Sequence, residues 1–150
     1  MNLSGGKWHN EYGYIRRDTG RREQGKAVFE FTLDTRHPMT LQAGPQCFLQ
    51  PDRHGFSNGG NVPWIGRLIV PDDLHWPSFI IHDIICADDL HRIYVSPSLH
   101  GEYEPIAVSS KYAAWVMGVG LYAAGYTNRA YFATRAVRMF GPRWDKPDLG

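Results

Sequence analysis

Two cysteines in 150 residues are too few for a disulfide scaffold. Cys47 and Cys86 do not form a Cys-x-x-Cys pair, so neither a zinc ribbon nor a redox motif is supported. They read as buried thiols, or as a disulfide if the fold brings their Cα atoms close enough. A charge excess is also missing. Sixteen Lys and Arg stand against 15 Asp and Glu, a net charge of +1, so nucleic acid and anionic membrane are not expected partners. No apolar run approaches the roughly 20 residues of a membrane helix. The richest stretch, residues 112–126, is short and broken by glycine. The opening segment MNLSGGKWHNEYGYIRR has no apolar core of the signal-peptide kind, so cytoplasmic folding is expected. There is no HExxH, no GxSxG and no Walker-type lysine. No cofactor is expected.

What the chain does have is the composition of a globular domain, 43% hydrophobic and 21% charged. Its length favours one domain that buries about two thirds of its unfolded surface. Residues 1–26 are polar and carry scattered glycines, with Trp8, Tyr12 and Tyr14 ahead of the doublets Arg16-Arg17 and Arg21-Arg22. This segment reads as an N-terminal arm, irregular or a short hairpin, that packs its aromatics on the body. Alternatively it docks on a partner through Trp8, Tyr12, Tyr14, Arg16 and Arg17. Residues 27–141 read as the globular domain and 142–150 as a C-terminal tail.

Within the domain, Ala27–Asp34 alternates, with Phe29, Phe31 and Leu33 on one face, which predicts a half-buried strand. Thr40–Gln42 and Gln46–Gln50 predict two short strands about the Gly44-Pro45 turn, and Pro51–Asn61 a loop. Trp64–Val70 fits a strand or short helix. In Trp76–Asp88, Ile80, Ile81, Ile84 and Ile85 fall at helical spacing behind Pro77, which predicts a helix. Arg92–Val95 suits a strand and Pro97–Pro105 a loop. Ser109 or Ser110 can cap a helix that stops at Gly125, and Thr127 or Asn128 can cap another that ends at Gly141-Pro142. Ala130, Ala133, Ala136, Val137 and Phe140 form the apolar stripe of that last helix, with Arg129, Arg135 and Arg138 on its outer edge. The expected fold is α+β: a small N-terminal antiparallel sheet packed on about three helices and closing in an antiparallel helical hairpin.

Chemistry concentrates on His82-Asp83. A histidine can act as base or metal ligand, and an aspartate can orient it or share the metal. Neighbours on a helix point about 100° apart, so one metal would need ligands from other segments. The bland alternative is a hydrogen-bonded structural pair. The loop 55–67, GFSNGGNVPWIGR, reads as a glycine–asparagine turn rather than a phosphate cradle. The other six histidines fall in no metal-binding spacing, and Asp88-Asp89 reads as a solvated turn.

The ordered set GFSNGGNVPW (55–64), HDIIC (82–86), SSKYAAWVMGVGLYAAGY (109–126) and AVRMFG (136–141) resembles a family of small phage and prophage proteins, domain of unknown function 1353. That family places a Gly-Phe-x-x-Asp loop after a strand pair, then a His-Asp helix, a Ser-x-x-Glu-Ala-Asp helix and a final helix. The matching positions here hold Asn58 and Asn61 in the loop and Tyr112 and Ala114 in the helix, so only His82 and Asp83 keep titratable groups. The resemblance implies a phage structural or assembly protein of the virion or tail, on a hydrolase-like scaffold whose site has decayed. Its partners would be other phage structural proteins, a host protein or further copies of itself. Two alternatives stay open: a metal-dependent hydrolase using His82 and Asp83, and a host-directed inhibitor that binds a bacterial protein.

Overall fold

The computed structural model describes residues 2–23, 25–57 and 75–144. Among these the chain is α+β. Strands β1 (Lys7–His9), β4 (Thr40–Gly44), β5 (Cys47–Gln50), β7 (Arg92–Ser96) and β8 (Glu104–Ala107) form an antiparallel sheet in the order β1-β4-β5-β7-β8. A second antiparallel sheet has the order β2-β3-β6, from β2 (Tyr14–Glu23), β3 (Lys26–Leu33) and β6 (His54–Ser57). The helices are α1 (Trp76–Ala87), α2 (Ser110–Ala123) and α3 (Thr127–Phe140).

Helix α1 packs against both β6 and α2. Phe79, Ile80, Ile81, Ile84 and Ile85 are all buried, which is why its isoleucines pack as a central helix although the residue type favours strands. Leu41, Leu49, Ile93, Met117 and Leu121 complete the same core.

Helix α2 begins as expected, with Ser109 Oγ accepting from the Tyr112 amide at 3.0 Å. It ends at a left-handed Gly125 (φ +99°). The Gly125 and Tyr126 amides donate back to the Tyr122 and Leu121 carbonyls, which closes the turn so tightly that α3 starts at once. Tyr126 therefore holds the N-cap position, with no side-chain cap, and Thr127 is already helical rather than a cap. The expected α2–α3 hairpin is present, and its approach is close. A Cβ at Gly118 would collide with Thr134 Oγ1 and reach 3.0 Å from Leu3 Cδ2.

Several segments differ from expectation. Residues 54–57, read as loop, form β6, in register with β3 from Phe29↔Ser57 to Thr32↔His54. Gly55 is there for space: a Cβ would sit 2.5 Å from Ile84 Cγ1. The end of the 97–105 loop is strand, and Pro105 is tolerated because β8 is the sheet edge. Residues 1–26 supply β1 and β2, and the expected boundary at 26 falls at the start of β3. Leu3 is wholly buried, Trp115 Nε1 donates to the Asn2 carbonyl at 2.9 Å, and β1 pairs with β4 through Trp8↔Leu41. The start of the tail is fixed too, because Trp144 stacks on His91 at 3.9 Å and donates to the Val108 carbonyl. Phe140, placed by periodicity on the buried stripe, is 61% exposed. It sits on the last turn, at the rim of the stripe that Ala130, Ala133 and Val137 bury. The 64–70 segment and the loop from Asn58 onward lie outside the described residues.

Candidate functional site

Three places stand out, two of which carry residues singled out by sequence. The first is the outer end of α1. His82 is buried and Asp83 nearly so, and Asp83 Oδ2 accepts from Ser57 Oγ on β6 at 2.6 Å. His82 Nδ1 is 3.5 Å from Asp83 Oδ1, too long for a strong hydrogen bond. One turn on, Cys86 Sγ lies 3.7 Å from Nδ1 and 3.6 Å from Nε2 of the same ring. A sulfur equally far from both nitrogens is in line with neither N–H, so this contact is not the aligned pair of a cysteine nucleophile and its base. Burial works against a charged imidazole here, but Cys86 and Asp83 beside it prevail and raise the His82 pKa above its usual value. The four side chains line a cleft of 240 Å³ walled by Val28, Phe56 and Pro142. Ser57 and Cys86 were not foreseen as partners of the His-Asp pair. Cys86 stands at helical i+4 spacing from His82, a signal the sequence did contain. Among the described residues no three His, Cys, Asp or Glu side chains come together as a metal-holding group.

A second network had no sequence signal. His75 Nε2 is 2.7 Å from Glu11 Oε2, and its Nδ1 is 2.7 Å from Ser78 Oγ. Burial pushes the His75 pKa down, more strongly than Glu11 pulls it up. The neutral ring therefore donates from Nε2 to the carboxylate and accepts the Ser78 hydroxyl at Nδ1. The order Ser–His–Glu is that of a nucleophilic triad, but Ser78 is 1% exposed and its Oγ abuts Gly120. No substrate reaches it. The network is a clasp that ties the β1–β2 turn to the start of α1.

Its pH dependence has a definite sign. The folded state favours the neutral ring, so the clasp contributes stability above the unfolded histidine value of about 6.5 and loses it as the pH falls below. His82 acts oppositely: its contribution is present below that value and lost as the pH rises through its raised folded value. On acidification from about pH 7.5 to about pH 5, across the histidine range, His75→Gln is expected to lose less stability than the wild type. Thermal melts at the two pH values measure this, and equal changes in the two proteins would contradict it.

The third place is the N-terminal aromatic–arginine set. Trp8 is half-buried, donates from Nε1 to the Gly120 carbonyl at 2.8 Å and meets the His75 ring. Tyr14 packs edge-on against Phe31, and burial helps raise its hydroxyl to about 12. Arg16 lies over the Phe29 and Trp76 rings, and Arg17 pairs with Glu30 at 2.7 Å. The set is largely engaged within the chain. Tyr12 is its exposed aromatic member, and Ile15 beside the set is exposed too.

A different surface is more open. On α3, Phe132, Met139 and Phe140 are 51%, 58% and 61% exposed. With half-buried Ala136 they recur at i, i+4, i+7 and i+8, a continuous apolar stripe on the side away from α2. The exposed Arg129 and Arg135 flank it. No family model matches this chain, and no curated protein or solved structure matches it.

Proposed function

We propose that this chain is a protein-binding component of phage assembly, part of the virion or its tail apparatus, and that it works through the outer face of α3. The observation that carries this reading is the exposed Phe132–Met139–Phe140 stripe among arginines, on a helix without an acidic residue. Full burial of such side chains is favourable by about 1.5–3 kcal/mol each. A partner surface that covers the stripe would gain much of that. The phage setting rests on the family resemblance, which implies the host cytoplasm during infection and, for a structural protein, the virion. The His82–Asp83 pair supports this reading as structure: Asp83 links α1 to β6 through Ser57.

The test is the protein content of purified particles. The chain is expected there at a fixed ratio to the other particle proteins, measured by quantitative mass spectrometry. Its absence from particles, together with capture of a host protein by the same helix face, would replace this reading with the host-directed inhibitor.

A further inference from the structure

Charge is segregated along this chain. Between Glu104 and Asp145 there is no acidic residue, while Lys111, Arg129, Arg135, Arg138 and Arg143 are basic. That stretch carries +5 of a total of +1, so the rest of the chain carries −4. The basic stretch is α2, α3 and their flanks, and the exposed apolar stripe of α3 lies within it.

The complementary chemistry is at one end of the five-stranded sheet. A groove of 470 Å³ opens there, lined by Asp52, Glu102 and Glu104 against one basic side chain, Arg53. Tyr94 and Tyr103 form its aromatic walls, and Tyr103 is held by its hydroxyl donating to the Leu99 carbonyl at 2.8 Å. Three carboxylates suit arginines. Two half-buried tyrosines suit both apolar side chains and guanidinium groups.

We propose that the α3 face of one copy seats in the acidic, tyrosine-walled groove of a second copy, joining chains head to tail. This rests on the reading of α3 as the working surface and names its partner. The same chain carries both halves, matched in charge and in apolar character, so a second copy satisfies every feature noted above. Because the two halves are different surfaces, the contact is heterologous. Each added copy leaves one α3 face and one groove free, and assembly continues into a ring or a fibre. The charged part is exposed, so salt weakens it over a screening length of about 8 Å at physiological ionic strength.

Sedimentation velocity tests this with three proteins: the wild type, an α3-face variant (Arg135→Glu with Phe140→Asp) and a groove variant (Glu102→Lys with Glu104→Lys). All the changed residues are exposed, and thermal melts confirm that each variant folds. If the groove variant melts early, Asp52→Lys takes its place. The wild type is expected to exceed its monomer mass of 17.1 kDa as concentration rises, and to fall back in high salt. Each variant alone is expected to stay at 17.1 kDa. An equimolar mixture is expected to form a dimer and stop there, because only one intact face and one intact groove remain. A wild type that is monomeric throughout, or a mixture that forms no dimer, overturns the proposal. If the wild type is monomeric but the α3-face variant alone is lost from particles, α3 binds a different partner. In that case the functional reading stands and only this inference fails.

Discussion

Leu3→Ala is expected to destabilise the protein by about 2–5 kcal/mol, the range for deleting a buried leucine side chain. Leu3 sits in a segment whose composition reads as an irregular arm or short hairpin, yet it is 0% exposed and packs near Gly118, where α2 and α3 meet. Its removal opens a cavity between the first residues and the helical pair. The Trp115–Asn2 bond and the β1–β4 ladder limit how far the backbone can collapse into it. Chemical denaturation measures the loss. A change within about 0.5 kcal/mol, as for an exposed site, would mean that the N-terminal segment is peripheral after all. The midpoint should move with little change in slope, because the buried surface of the rest of the chain is unchanged.

Gly120→Val is expected to cost about 3 kcal/mol, at the upper end of the range for overpacking a core. Even a Cβ at this position would lie 2.7 Å from Ser78 Oγ and 2.8 Å from Trp8 Cζ2. Neither neighbour is free to turn away. Ser78 is bonded to His75, and the Trp8 indole is held by its bond to the Gly120 carbonyl itself. The added methyls therefore strain α2, β1 and the Glu11–His75–Ser78 clasp together. Gly120→Ala is expected to be milder, because alanine returns up to about 1 kcal/mol of helix propensity. The comparison is made by denaturation of both variants. A valine variant as stable as the wild type would contradict the packing described here.

The helical pair was legible because its signals are local. Ser109, Gly125 and Gly141 mark ends, and the stripe of Ala130, Ala133 and Val137 has the helical period. Strand β3 was legible from alternation, although Val28, on the face opposite Phe29, Phe31 and Leu33, is buried as well and lines the cleft beside His82. What escaped depended on distant partners. Gly55 and Pro105 read as loop residues; one allows the contact with Ile84, and the other sits on a sheet edge. The mostly exposed β2 has no apolar alternation to betray it. The His82-Asp83 dipeptide was visible, but Ser57 lies 26 positions from Asp83, and Glu11 lies 64 from His75. The exposed stripe on α3 was hidden by its buried neighbour, because both share the same period and only packing tells which side α2 covers.

On the proposed reading the outer face of α3, not the cleft at His82 and Asp83, is the working surface. Phe132→Asp with Phe140→Asp is therefore to be compared with Asp83→Asn for incorporation into particles, with melting temperatures recorded for both. The phenylalanine variant is expected to keep a near-wild-type melting temperature and to be lost from particles. Asp83→Asn is predicted to be retained in particles even where its melting temperature falls. Full incorporation of the phenylalanine variant, with loss of a folded Asp83→Asn, would return the function to the cleft.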